Sequence, residues 1–196
     1  LVLPVPASPD GTTVPAPFGK AALPLETLAA HGKPGALVLG GACGGILPWL
    51  ESRGLAAADY LRREELCLAN AVPSAEGAIQ IAMEETARTL HGTAALVIGY
   101  GRIGMALAPR LRGLGMDVTV CARRCETRAL AEMQGFAAVP MEQLPAAAKA
   151  APVIFNTVPA LVLDETVLKG LPQETLVIDL ASRPGGTDFE AAKRLR

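Results

Sequence analysis

The stretch Ala94-Ala-Leu-Val-Ile-Gly-Tyr-Gly-Arg-Ile-Gly104 restricts the folds open to this chain more than any other. An apolar run passes without a break into Gly99-x-Gly101-x-x-Gly104, and a helical pattern follows. In such a strand-turn-helix each glycine has its own task. Gly99 permits the tight turn, Gly101 lets backbone approach a pyrophosphate, and Gly104 lets the helix pack closely on the strand. The N–H groups at the helix start, from Arg102 and Ile103 onward, and the positive end of its dipole would hold the phosphates. The expectation is an α/β protein: a Rossmann doubly wound parallel sheet with a dinucleotide at this turn.

The rest of the chain keeps the same rhythm. Beyond the first helix, with Leu107, Leu111 and Leu114 on one face, strands are expected at 116–121, 136–139, 153–156 and 175–180. Helices are expected at 126–134, 145–150 and 164–171, with a last one from Asp188. Pro109 should kink the helix that contains it. Upstream, a strand at Leu1–Val5, a loop at Pro6–Pro17, a helix at Leu25–His31, a strand at Gly35–Gly40 and a helix at Ile46–Ser52 suggest a smaller N-terminal α/β domain over 1–73, flavodoxin-like and substrate-side. The Gly40–Gly45 turn lacks the third-glycine spacing and a Walker lysine, and reads as a tight turn lining a cleft.

Between the two lies Asn70-Ala-Val-Pro-Ser74-Ala-Glu76-Gly77. Ser74 suits an N-cap and Glu76 the first turn of an interdomain helix at 74–90, whose apolar stripe would be Ile79, Met83, Thr86 and Leu90. The Rossmann domain then occupies 91–196, with a hinge near 70–91. Ser74 and Glu76 would face the cleft, although capping accounts for Ser74 equally well.

A formal net charge of -1 over 196 residues gives no sign of a nucleic-acid surface. No apolar run reaches the ~18–20 residues of a membrane span, and Leu1-Val-Leu-Pro-Val is too short for a signal peptide. A cytoplasmic protein is expected. Cys43, Cys67, Cys121 and Cys125 lack paired zinc-site spacing, so no metal is expected and they read as buried thiols in a reducing compartment.

The second strand of an NAD-binding fold usually ends in an acid that binds the ribose hydroxyls. Here Cys121-Ala-Arg123-Arg124 stands there instead, with Arg128 one turn on. Guanidinium groups suit a 2′-phosphate, so Arg123 and Arg124 favour NADP over NAD, the alternative being a solvated basic face. Ligands of open α/β sheets lie beyond the carboxyl ends of the strands. Asn156, Thr157 and Pro159 should therefore border the nicotinamide ribose, with Ser182 and Arg183 near the ring and substrate. Asp179, inside its strand, reads as a satisfied buried carboxylate.

Asn70-Ala-Val-Pro-Ser-Ala-Glu-Gly-Ala-Ile, Gly99-x-Gly-Arg-Ile-Gly-Met105, Asn156-Thr-Val-Pro-Ala and Ile178-Asp-Leu-Ala-Ser-Arg-Pro-Gly-Gly-Thr-Asp-Phe189 together resemble the dipicolinate synthase A-subunit family. The resemblance covers nearly the whole chain. It implies a two-domain layout similar to the 2-hydroxyacid dehydrogenases and NADP-dependent oxidation of dihydrodipicolinate to dipicolinate. It also implies partnership with a flavoprotein-like B subunit, in the mother cell of a sporulating bacterium. A homo-oligomer is compatible with it. On this reading Arg183, Ser74, Glu76 and Asn156 are catalytic candidates, with Arg183 on a substrate carboxylate and Glu76 either a proton acceptor or, equally, a helix-capping residue. Family members extend beyond both Leu1 and Arg196, so both domains look truncated, and an ordinary helix former stands where this chain has Pro109. Two other readings are a D-2-hydroxyacid dehydrogenase and a nucleotide-sensing domain. The first needs a general-base His downstream of the glycine turn, whereas His31 and His91 both precede it. The second prefers an acid at the second strand end and needs no separate N-terminal lobe.

Overall fold

The computed structural model describes residues 1–195, and the chain divides into two compact units, Leu1–Cys67 and the residues from Leu68 onward. The first unit is small. Strands β1 (Thr13–Val14) and β2 (Leu23–Pro24) form an antiparallel pair that leads into helix α1 (Leu25–His31). Strand β3 (Leu37–Gly40), helix α2 (Leu47–Ser52) and strand β4 (Ala56–Asp59) follow, β3 and β4 being parallel. The expected strand at Leu1–Val5 is reduced to a single bridge between Val2 and Leu39, flanked by Leu3 N–H to Leu39 O at 2.7 Å. Pro4 and Pro6 have no N–H to donate, so that ladder cannot extend. Leu28, Val38, Ile46, Leu50 and Leu55 make the core of this unit.

A short 3₁₀ turn at Tyr60–Arg62 leads to α3 (Glu64–Glu85). This corrects the expected helix at 74–90, because Ser74 is mid-helix and caps nothing. Pro73 lies inside the helix, which runs through it. Glu64 and Glu65 provide the favourable acidic first turn ten residues earlier than expected. The Ser74 hydroxyl donates to the Asn70 carbonyl at 2.9 Å instead. The buried stripe is also not the expected one: Ala71, Ala75, Ala78 and Ala82 face the core, while Met83 is 51% exposed. A helix lying close on a sheet favours small side chains on that face.

From here the βα alternation is regular. It comprises β5 (Ala94–Ile98), α4 (Arg102–Gly113), β6 (Asp117–Cys121), α5 (Cys125–Met133), β7 (Ala137–Val139), α6 (Leu144–Ala150), β8 (Val153–Asn156), α7 (Glu165–Lys169), β9 (Leu176–Asp179) and α8 (Phe189–Leu195). The sheet is parallel throughout, in the order β7-β6-β5-β8-β9. Strand residues alternate between its faces. Ala95, Val97, Val120, Val153 and Phe155 pack with Leu107, Leu111 and the alanines of α3. Leu96, Ile98, Ile154 and Cys121 pack with Leu144, Ala148, Leu168 and Ala191 on the other face. This three-layer, doubly wound arrangement is the expected Rossmann architecture. The sheet order reverses at β5, so the crevice lies beyond the carboxyl ends of β5 and β8. Pro109 sits inside α4, which continues to Gly113, and the Arg110 guanidinium donates to the Ala106 carbonyl at 2.7 Å. Among the described residues no helix is long and apolar enough to cross a membrane.

Candidate functional site

The turn after β5 is fixed from several directions. Gly99 takes φ +88°, and its N–H donates to Cys121 O at 2.8 Å. A Cβ on Gly99 would lie 2.5 Å from Thr157 Oγ1 and 2.8 Å from Val158 Cγ2. Tyr100 turns inward beneath the loop, 5% exposed, where its hydroxyl meets Gln134 and its ring meets Phe136 edge-on. Burial raises the Tyr100 hydroxyl above its ordinary pKa, with Arg112 opposing. A Cβ on Gly104 would stand 2.3 Å from the Gly99 carbonyl oxygen, so close packing of α4 on the strand requires the glycine. Gly101 differs from both. A Cβ there would meet nothing within 4 Å, and its φ of -91° suits any residue. The fold explains Gly99 and Gly104, but it leaves Gly101 to be explained by something that approaches the loop from outside. Gly101 is also the N-cap of α4 and carries no side chain to cap it, so the first N–H groups of the helix face the crevice without a side-chain cap. Arg102, exposed, and Ile103, half-buried, are the first residues of that helix.

At the end of β6, Arg123 and Arg124 are both exposed. Arg124 is the N-cap of α5 and its side chain makes no capping bond. Arg128 plays a different part: its Nη1 donates to Ala122 O at 3.0 Å and Arg123 O at 2.8 Å, fixing the loop that carries the other two. Glu126 lies among them, its carboxyl held below the usual range by its own backbone N–H and the Cys125 thiol, with Arg124 and Arg128 adding. Only two of the four cysteines are buried as expected, Cys43 and Cys121, while Cys67 is half-buried and Cys125 exposed. Burial and the nearby Glu142 push the Cys121 thiol up to about 11, so it is inert at neutral pH.

Beyond β8 and β9 the structure changes the role of one candidate. Asn156 is fully buried and its amide is already engaged. Nδ2 donates to Val158 O at 3.1 Å and Asp179 Oδ1 at 3.0 Å, while Oδ1 accepts from Val158 N at 3.1 Å. Bonded in this way, Asn156 shapes the loop and does not present its side chain to a nicotinamide. The Thr157 hydroxyl donates inward to Ile98 O at 2.9 Å, tying this loop to the end of β5, and Pro159 stands exposed at its tip. Ser182 and Arg183 are exposed on the turn after β9. Asp179 is the satisfied carboxylate that its place in the strand suggested, although it is half-buried and not fully buried. Its Oδ1 accepts from Ala181 N at 3.0 Å and its Oδ2 from Gly186 N at 2.9 Å, in addition to Asn156. Burial raises its pKa, but the hydrogen bonds outweigh burial and hold the carboxyl below the usual range. The Thr187 hydroxyl, buried without a partner of good geometry, still lies close enough to favour the charge. Spacing alone could have pointed to Asp179, since a carboxylate at a strand end two residues before a backbone turn commonly caps that turn.

Gly99–Gly104, the loop at Asn156–Pro159 and the turn at Ser182–Arg183 thus lie at the carboxyl edge of one sheet, with Arg123 and Arg124 at the same edge beyond β6. Glu76 is exposed on α3, where it lines a shallow groove with Ile79, Gln80, Met83 and Glu84.

Residues 67–182 match the D-isomer specific 2-hydroxyacid dehydrogenase, NAD binding domain family. The dipicolinate synthase A-subunit of Bacillus subtilis (strain 168) is 37% identical over 132 residues, covering 67% of this chain and 44% of the relative. The chain therefore spans under half of that curated relative's length. The crystal structure of the dipicolinate synthase A-subunit from Bacillus halodurans superposes with a TM-score of 0.86 at 30% identity, covering 99% of this chain and 67% of the other. The corresponding crystal structure from Bacillus subtilis gives 0.84 at 30% identity, covering 99% and 66%.

Proposed function

From a chain that belongs to the D-isomer specific 2-hydroxyacid dehydrogenase NAD-binding family and, within that fold, to the dipicolinate synthase A-subunit family, we propose an NADP-dependent dehydrogenase that oxidises dihydrodipicolinate to dipicolinate. The setting is the cytoplasm of a sporulating mother cell, and the partner is a flavoprotein-like B subunit. The observation that carries the cofactor reading is Gly101, the one glycine of the turn for which the fold has no steric use. A pyrophosphate lying on the loop supplies that use, and the N–H groups at the start of α4 would bind it. NADP, when bound, takes a hydride from the substrate ring. Arg123 and Arg124 would hold the 2′-phosphate, and the loop fixed by Arg128 would keep them in place.

The substrate is a dianion, so the turn beyond β9 must offer cations or N–H donors. Arg183 is exposed there and would bind one carboxylate, with Ser182 beside it. The product is an aromatic pyridine, so aromatisation drives the step and the protein has mainly to align the C–H bond and accept one proton. Glu76 is the carboxylate we assign to that proton, and Ser74 lies half a turn away on the same helix.

Two measurements test this reading. Calorimetry should give NADP(H) binding at least about tenfold tighter than NAD(H), ~1.4 kcal/mol. The preference should vanish in the double variant Arg123→Ala plus Arg124→Ala; equal affinities in the wild type would end it. Dipicolinate formation with the B subunit present should fall to a small residual rate in Arg183→Ala with NADP affinity unchanged, and normal turnover would remove Arg183 from the substrate site.

A further inference from the structure

We propose that Asp179 is a positioning residue for this oxidation, its carboxylate tying the Thr157–Pro159 loop to the Ser182–Arg183 turn and so fixing where the Arg183 guanidinium stands. The inference rests on the reading of Arg183 as the ligand of a substrate carboxylate.

Residues 180–186 leave β9 and return, and both ends of that excursion donate to one carboxylate: Ala181 N to Oδ1 at 3.0 Å and Gly186 N to Oδ2 at 2.9 Å. Gly185 N–H closes the turn between them on Ser182 O at 2.9 Å. The same Oδ1 accepts from Asn156 Nδ2 at 3.0 Å, and Asn156 in turn holds both the N–H and the carbonyl of Val158. Gly186 seals the joint. A Cβ there would lie 2.2 Å from Asn156 Nδ2, 2.4 Å from Val158 O and 2.8 Å from Ala160 O, so nothing larger than hydrogen fits between the loops. The Gly186 carbonyl then accepts from Val162 N at 3.0 Å and Leu163 N at 2.9 Å. Arg183 itself takes no part in this joint and remains exposed at the apex. Asp179 therefore acts on the reaction only through the turn it fixes.

The substitution Asp179→Asn keeps the shape but sets an N–H donor against groups that are themselves donors. Turnover of dihydrodipicolinate by the full chain with its B subunit should show kcat/KM at least about tenfold lower in Asp179→Asn, with NADP affinity within about threefold. In an Arg183→Ala background the same change should cost less than about twofold, because two residues acting as one unit are not additive. A general folding defect would instead multiply the two losses. If Arg183→Ala is impaired and Asp179→Asn multiplies that loss, the positioning role is overturned while the reading of Arg183 stands. If Arg183→Ala turns over normally, that reading falls and takes this inference with it. Hydrogen exchange needs no substrate: the Ala181 and Gly186 amides should exchange at least about tenfold faster in Asp179→Asn than in the wild type, with β5 amides unchanged. Unchanged protection at Ala181 and Gly186 would show that the carboxylate does not hold the turn, whatever the substrate proves to be.

Discussion

The three glycines of the β5 turn make separable demands, and substitution by alanine should separate them. At Gly104 the new methyl would lie 2.3 Å from the Gly99 carbonyl, a backbone atom that cannot swing aside. Gly104→Ala should cost about 1–3 kcal/mol of stability, which lowers Tm by roughly 2–4 °C per kcal/mol at this chain length. Gly101→Ala meets open space, so its Tm should stay within about 2 °C while dinucleotide affinity falls at least about tenfold. Melting curves and calorimetry on the two variants decide it. A Gly101→Ala protein that binds NADP normally would mean that no phosphate lies on this loop. At this scale the sequence was readable in part. The glycine spacing announced the turn because backbone sterics permit few residue types there. The buried amide of Asn156 and its bond to Asp179 were not readable, because which polar groups meet across two loops is decided by tertiary packing.

Elements of the second unit were legible almost to the residue where apolar period and turn residues agree, as at β8 and α6. Legibility failed at the start of α3, which runs through Pro73 although the expected helix began only at Ser74. Proline forbids one hydrogen bond and crowds one carbonyl, a penalty that a long helix with a continuous buried face can absorb. Pro109 poses the same question on a helix face open to solvent. Pro109→Ala restores a donor to the Met105 carbonyl, so chemical denaturation should show α4 stabilised by about 1–3 kcal/mol. A destabilised variant would mean that the ring does useful packing. The clamp beyond β9 makes a prediction about acid. The Asp179 carboxyl is held below its unfolded value of 3.8, so its contribution is complete above that pH and is lost as pH falls through the lower folded value. Acid titration of wild type against Asp179→Asn should give curves that differ most at neutral pH and converge below about pH 4. A gap that persists at low pH would show that the difference is not charge.

For the molecule as a whole, everything assigned to the dinucleotide lies in the unit that begins at Leu68, and that unit has its own two-sided core. A fragment from Glu64 to Arg196, which keeps α3 intact, should unfold cooperatively and bind NADP within about fivefold of the full chain. A fragment that melts without a transition would show that the first unit is needed for folding. The doubly wound layout could be read from the sequence because strand and helix alternate at regular spacing. The contents of the first unit were less clear, since Pro4, Pro6 and Pro24 interrupt the short strands that would have announced it. The open space at Gly101 has a further consequence, for descent. Mutational drift tests Gly99 and Gly104 in every generation, because the chain must fold. It tests Gly101 only for as long as a nucleotide is in use. A descendant that has abandoned its cofactor should therefore keep the outer two glycines and lose the middle one, so that position separates working enzymes from retired ones among sequences that all retain the fold.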